Sequence, residues 1–273
     1  MLRSGIEWLY KIFCLLIPSA PFSHIPEKPM VIVIASYNNE RWVEENLKSV
    51  FMQDYSNYRV IYIDDASTDR TADLAAALIK ERGEESRCTF IRNHIRKGGL
   101  CNLYEAVSHC ADEEIIVNVD GDDWLANPDV LKIVNKTYSQ QDIWLTHGTM
   151  IEYPKNVLGW SIPIPKKIIK KMAFRTYRCP SHLKTFYAWL FKKIDVEDLK
   201  IGGEFFPMTW DQAMMFPMLE MAGDRHAFIK ETLYVYNMTN PLSDNRVNAQ
   251  LQRDLEKWIR SKPSYDKLRE APR

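Results

Sequence analysis

The chain is short of the features that mark several large classes of protein. Its five cysteines, Cys14, Cys88, Cys101, Cys110 and Cys179, are odd in number, irregularly spaced and never arranged as C-x-x-C. That argues against a disulfide framework and for a reducing compartment, so a cytoplasmic setting is expected. There is no excess of either charge, with 36 basic and 36 acidic residues. A broad nucleic-acid surface would show as net basicity, so no nucleic-acid partner is expected. No internal repeat is visible. The charge-free run from Ile12 to Phe22 is too short to span a bilayer as a helix. The surrounding stretch IEWLYKIFCLLIPSAPF carries Glu7 and Lys11. It matches a signal peptide poorly, and suits an aromatic-rich helix lying on a membrane or one docked on the body. Peripheral membrane contact through the N-terminus is thus one of the readings left open.

What is present is a 46% apolar chain of 273 residues, enough for one large packed domain with appendages. From Met30 onward, strand-like and helix-like stretches alternate. MVIVIA is a continuous, β-branched apolar run suited to a strand buried on both faces. Val43, Leu47, Val50 and Phe51 recur at helical spacing, YRVIYIDD is a second strand, and DRTADLAAALIKERG is a helix stopped at Gly83. CTFIRN, Gly98 to Cys110 and EEIIVNVD continue as strand, helix and strand, and Pro128 opens another helix with Asn127 as its cap. The order predicts an α/β fold with a mostly parallel, Rossmann-like central sheet flanked by helices. Beyond about residue 140 the pattern loosens. IWLTHGTMIEY reads as a strand, PSHLKTFYAWLFKKI as an amphipathic helix, TWDQAMMFPMLEMAG as a helix with methionines filling the core, and ETLYVYNMT as a strand. The last segment, from Gln250, reads as a peripheral helix with a frayed end.

Ligands of such sheets bind beyond the carboxyl ends of the strands. There the sequence places SYNNE, DDASTD, NHIRKGG and DGDDW after four successive strands. Loops are polar anyway, but that does not explain Asp120, Asp122 and Asp123 crowded around Gly121. Carboxylates so placed suit a hard divalent cation, and Mg²⁺ or Mn²⁺ takes few protein ligands and completes its shell with phosphate and water. The spacing of a calcium loop, with its closing glutamate, is absent.

Taken in order, Ser36-Tyr37-Asn38, Ser49 to Gln53, Asp64-Asp65-Ala66-Ser67-Thr68-Asp69, RKGGLCN and DGDDW before Pro128 resemble the opening half of the family 2 glycosyltransferases. The match runs over residues 30 to 130. The resemblance implies a GT-A fold, a nucleoside-diphosphate sugar as donor and Mn²⁺ or Mg²⁺ as cofactor. It implies that Ala35 and Tyr37 hold a uracil base and that Asp65, supported by Asp64, accepts its N3–H, a donor suited to a carboxylate. It places Lys97 and Asn102 on the loop beside the base or phosphates, Asp120 and Gly121 facing the ribose or metal waters, and Asp122 with Asp123 at the cation. It also implies a base at the start of a helix in the second half, where Asp211 stands, though the family's frequent Glu-Asp pair is Trp210-Asp211 here. Asp211 as a helix cap is the alternative.

On that resemblance, residues 1–26 form a lead segment and 27–245 the catalytic domain. Its nucleotide-sugar half is 27–135 and its acceptor half 136–245, and a peripheral helix and tail cover 246–273. The expected partners are a UDP-sugar and a hydroxyl acceptor on a glycan, a lipid or a protein, joined by single displacement with inversion. A catalytically inert module that only binds the nucleotide sugar is the rival reading. A pyrophosphorylase of similar fold would need a Gly-rich loop after the first strand, which IASYNNE lacks. Many relatives carry a metal-binding histidine after the last strand. YNMTNPLSDNR has none, leaving Asn237, Asn240 or Asp244 as substitutes. Trp124 or Trp210 could stack on a sugar, and His182 and Lys184 could reach the diphosphate or acceptor. Lys166, Lys167, Lys170 and Lys171 read first as a solvated helix face and second as a contact for anionic lipid.

Overall fold

The computed structural model describes residues 25–140 and 142–272, without the side chains of residues 244 and 245. The expectations for the lead segment fall almost wholly outside the described residues. The first half is a regular alternation. β1 (Met30–Ser36) leads to α1 (Val43–Phe51), β2 (Tyr58–Asp64) to α2 (Thr71–Glu81), and β3 (Cys88–Arg92) to α3 (Gly99–Ser108) and β4 (Ile115–Asp120). The second half has shorter pieces: β5 (Trp124–Leu125), α4 (Val130–Gln140), β6 (Leu145–Tyr153), β7 (Val157–Leu158), α5 (Lys166–Lys170), β8 (Lys184–Tyr187) and α6 (Ala188–Lys192). A small hairpin, β9 (Lys200–Ile201) and β10 (Glu204–Phe205), precedes α7 (Trp210–Ala222), β11 (His226–Asn237), α8 (Asp244–Val247) and α9 (Ala249–Ser261).

One sheet in the order β3-β2-β1-β4-β8-β6-β11-β5 crosses the molecule, with β7 paired to β6. Its parallel registers, β1 with β2 and β4, β2 with β3, and β6 with β11, are long. Its antiparallel ones are short. The expected α/β architecture with a mostly parallel central sheet is therefore observed. β1 is buried along almost its whole length and serves both faces. Val31 and Val33 join one core with Leu100, Leu103 and Phe216, while Met30, Ile32 and Ile34 join the other with Leu47, Val50 and Val60. Each such side chain contributes about 1.5–3 kcal/mol on burial, which makes the middle of the sheet the rigid frame.

The parallel registers bring the strand ends level. Ser36 pairs with Asp64, Asp64 with Arg92 and Ala35 with Asp120. The four polar loops therefore emerge along one rim.

Three expectations need correction. Pro128 precedes the helix instead of opening it: α4 starts at Val130, and the Asn127 side chain accepts from the Asp129 N–H at 2.9 Å in the turn before. PSHLKTFYAWLFKKI is not one helix. Lys184–Tyr187 is a strand between β4 and β6, and only Ala188–Lys192 is helical. The β-branched and aromatic run Thr185-Phe186-Tyr187 fills a gap in the sheet, and pairing on both edges outweighs a helical period. The C-terminal end is not frayed. α9 buries Leu255 and Ile259, and Tyr265, Leu268 and Ala271 pack on the same core. The Leu268 N–H donates to Met221 O at 2.9 Å.

Candidate active site

The acidic loop after β4 is fastened on every side. Gly121 sits so close to β1 that a Cβ there would lie 2.7 Å from the Cα of Ser36, a separation only glycine permits. Asn46, fully buried on α1, donates to the carbonyls of Asp120 at 3.0 Å and Asp123 at 2.7 Å. From β11, the Tyr234 hydroxyl accepts the Asp120 N–H at 3.0 Å, and the Asn237 N–H donates to Asp123 Oδ1 at 2.7 Å. Asn240, just beyond β11, donates to Asp122 Oδ2 at 2.6 Å. The carbonyls are tied down while the carboxylates face inward.

β8 completes the group. It runs antiparallel to β4 with Asn118 opposite Lys184. Continuing that register two residues sets His182 opposite Asp120. The His182 ring stacks on Tyr234, with centroids 4.4 Å apart and 10° between planes, and lies 5.7 Å from Tyr236. Its Nε2 is 3.7 Å from Asp120 Oδ2, too far for a hydrogen bond. Oxygens of Asp120 and Asp123 and a nitrogen of His182 all lie within 4.8 Å of one another. Lys184 is 2% exposed, and its ammonium lies 5.6 Å from the Trp210 ring centroid.

The charges are unevenly satisfied. Burial pushes the Asp120 carboxyl up to about 6, with Asp122 and Asp211 adding to the rise and Lys184 opposing it. Burial also drives Asp123 well above the usual carboxylate range, helped by Asp122 and Asp120. His182 is pushed well below its ordinary value by burial and by Lys184, so its imidazole is neutral at pH 7. A neutral ring is the form that ligates metals.

A cleft of about 380 Å³ opens over this group. Ala35, Tyr37, Asp120, Gly121, Asp122 and Asp211 line it, together with Arg96, His182, Lys184, Trp210 and Asn240. Asp123 is buried behind them. Asp211 stands in the first turn of α7 and lines the same cleft as the acidic loop.

Asp64, Asp65, Lys97 and Asn102 do not line the cleft. Asp64 is fully buried and accepts the Ser67 N–H at 3.1 Å. Asp65 accepts the Lys97 N–H at 2.9 Å, the Gly98 N–H at 2.8 Å and the Asn93 amide at 2.9 Å. Burial would raise its pKa, but these bonds and the Asn102 side chain win and lower it. Asp65 thus anchors the loop that starts α3, where Gly98 adopts φ of 90°, a left-handed value that favours glycine. Asn102 accepts from Asn93 at 2.8 Å within the same anchor. The Lys97 ammonium bonds Glu105 instead, at 2.7 Å. Its neighbour Arg96 turns into the cleft and lies 3.9 Å from the Tyr37 ring centroid. Motif reading passed over Arg96 because only the adjacent lysine is part of the pattern.

The end of β11 and the segment after it, where a histidine is expected, supply Asn237 and Asn240 as hydrogen-bond partners of the acids. The side chain of Asp244 lies outside the described residues. The histidine that meets the acids comes from the other side, ahead of β8. Its signal in the sequence was weak, because placing His182 depends on treating KTFY as a strand.

Comparison with known proteins agrees with this fold. The sequence pattern described as glycosyl transferase family 2 matches residues 31–199. A Bacillus subtilis (strain 168) protein named for glycosyl transfer, EpsE, is 34% identical over 92 residues, which is 34% of this chain and 32% of that protein. An Escherichia coli (strain K12) protein named for a glycosyl transferase step in colanic acid biosynthesis, WcaA, is 26% identical over 172 residues, covering 59% of this chain and 58% of its own. The chain therefore spans less than two thirds of the length of these relatives. Among solved structures, the mannosyltransferase PcManGT of Pyrobaculum calidifontis, in complex with GDP-Man and Mn²⁺, superposes with a TM-score of 0.59 at 18% identity, over 95% of this chain and 72% of that one. TarS of S. aureus in complex with UDP-GlcNAc gives a TM-score of 0.59 at 16% identity, over 85% of this chain and 65% of that one. At these identities the two structures speak to the fold alone.

Proposed function

The chain belongs to glycosyl transferase family 2, and from that premise we propose that it moves a sugar from a nucleoside-diphosphate sugar, with UDP favoured, to a hydroxyl acceptor, inverting the anomeric carbon. The observation that carries the proposal is the cleft itself. Acids and a neutral histidine meet on one wall, a buried lysine lies beside them, and a separate carboxylate lines the same cleft.

The residues fit a divalent cation. Bonds of about 2.0–2.2 Å place neighbouring ligand atoms about 3 to 4 Å apart, and the 3.7 Å gap between His182 Nε2 and Asp120 Oδ2 leaves room for an ion between them. Acids whose pKa values are driven up by one another also gain from a positive partner. Asp120, Asp123 and His182 would hold Mn²⁺ or Mg²⁺, with Asp122 alongside at the cleft. When bound, the ion would act as a Lewis acid toward the diphosphate.

The chain's own groups account for the remaining work. Tyr37 offers a ring face to the base, and Ala35 a backbone edge. Lys184 supplies a fixed positive charge where the leaving diphosphate gathers negative charge. Asp211 accepts the proton of the acceptor hydroxyl as that oxygen bonds to the anomeric carbon and the diphosphate departs.

The test is a UDP-release screen across UDP-sugars, with Mn²⁺ or with chelator, paired with direct nucleotide binding. Native protein should turn over only with metal. Asp211→Asn should bind UDP within about twofold of native and lose on the order of 10²- to 10⁴-fold in turnover. Undiminished turnover by that variant removes Asp211 as the base. Native protein that binds without turnover is the inert module, and absence of metal-dependent binding sinks both readings.

A further inference from the structure

The charge balance of the whole chain hides a segregation. From Tyr153 to Ile194 there is not one aspartate or glutamate, while ten lysines and arginines fall in that span. Three of the ten are neutralised inward or put to use. Arg175 pairs with buried Glu220, Lys184 stands in the cleft, and Lys192 bonds Asp112. The other seven, Lys155, Lys166, Lys167, Lys170, Lys171, Arg178 and Lys193, are exposed, and among the described residues none of them forms an ion pair.

Exposed apolar side chains belong to the same segment. Val157 and Leu158 of β7 are 47% and 69% exposed, Trp160 is 43% and Ile162 is 56%. The Arg178 guanidinium lies 5.1 Å from the Trp160 ring centroid, which ties the two ends of the segment together. α5 turns Ile168 and Ile169 toward the core, so its lysines Lys166, Lys167 and Lys170, with Lys171 at its C-cap, project outward. Aromatic and aliphatic side chains ringed by unpaired basic ones are the composition of surfaces that rest at a headgroup boundary. A soluble partner face would more often be depleted in lysine.

We propose that residues 153–178 form a docking face for an anionic lipid bilayer. The apolar tips of β7, Trp160 and Ile162 enter the headgroup layer, and Lys155, the α5 lysines and Arg178 contact lipid phosphates. The inference stands apart from the catalytic reading, but it has a consequence for it. Trp160 and Arg178 also line a cavity of about 520 Å³ that reaches Asp211, Gln212 and Glu256. A protein seated on this face presents Asp211 toward the membrane, which suits a membrane-borne hydroxyl acceptor.

The experiment is co-sedimentation of the full chain with vesicles of phosphatidylcholine alone and of phosphatidylcholine mixed with phosphatidylglycerol, at low and high salt. Native protein should bind only the mixed vesicles and should detach as salt rises. Each basic group near an anionic surface contributes about 1 kcal/mol, or about fivefold. The combined variant Lys166→Gln, Lys167→Gln, Lys170→Gln, Lys171→Gln should therefore bind several hundred-fold more weakly, on the order of 10²- to 10³-fold. Leu158→Ser with Trp160→Ser should weaken binding while leaving its salt dependence in place. All six positions are exposed, Leu158 at 69% and Trp160 at 43%, so melting temperatures should change little alongside these losses. Equal binding by the lysine variant would move attachment elsewhere on the chain, the N-terminal stretch included, and overturn the proposal. So would failure of native protein to bind mixed vesicles, including the case where it is retained by a soluble polyanion instead.

Discussion

At the residue scale, two side chains make sharp predictions. Arg96 covers the face of Tyr37 on which a base is expected to lie. If the base sits between ring and guanidinium, Arg96→Ala removes a contact of about 1 kcal/mol and weakens UDP binding about fivefold by calorimetry. Tighter binding in the variant would show that Arg96 competes with the base. His147 is a different case. It is fully buried on β6, neither ring nitrogen has a hydrogen-bond partner among the described residues, and burial with the neighbouring His226 lowers its pKa to about 3. The folded state therefore refuses a proton that the unfolded chain takes up at its ordinary value near 6.5. The stability this represents is full above that value and is lost as pH falls from about 6.5 toward 3. At 1.36 kcal/mol per unit, about 2 to 3 kcal/mol is gone by pH 4.5. Urea midpoints measured from pH 7 to 4.5 should fall steeply for native protein and less steeply for His147→Leu. Of the residues read from sequence, those at the ends of β1 and β4, Ala35, Tyr37 and Asp120 to Asp122, line the cleft, while Asp64 at the end of β2 does not. Lys97 and Asn102 do not, because their direction is set by Glu105 and Asn93 and not by their place in a motif.

At the element scale, the site depends on how closely the ends of β1 and β4 approach. Gly121→Ala would drive a methyl group into Ser36 backbone that cannot move without shifting β1. It should cost about 1–3 kcal/mol in unfolding free energy, as overpacking does. It should also abolish Mn²⁺ binding by titration, since the carbonyl bonds from Asn46 fix the loop in its present course. The first-half strands were legible because each is a β-branched run between polar loops, and parallel pairing levels their ends. β8 was not legible. Its four residues carry a strand signal too short to compete with the helical period around them, and their state is decided by two neighbouring strands far away in sequence.

At the scale of the whole molecule, the C-terminal tail is built into the fold. Glu220, buried on α7, accepts Arg175 Nε at 2.7 Å and Nη2 at 3.0 Å, and the Tyr265 N–H at 3.0 Å. Arg175 in turn donates to Ile259 O at 2.6 Å on α9. One ion pair thus joins the basic segment, α7, α9 and the tail. Glu220→Gln strands a buried guanidinium and should lower unfolding free energy by about 3–5 kcal/mol, with earlier proteolytic loss of the tail. A variant as stable as native, with its tail equally protected, would show that the pair is not what joins them.

The sequence by itself determined the α/β alternation, the rim on which the polar loops gather and the family, because these follow from local hydrophobic runs and short motifs at strand ends. Only the tertiary structure decided that His182 and Lys184 join the acids, that Arg96 and not Lys97 faces the cleft, and that the tail is packed. Each of those depends on which distant backbone a side chain meets, and a register of antiparallel pairing or a buried ion pair leaves no local trace along the chain.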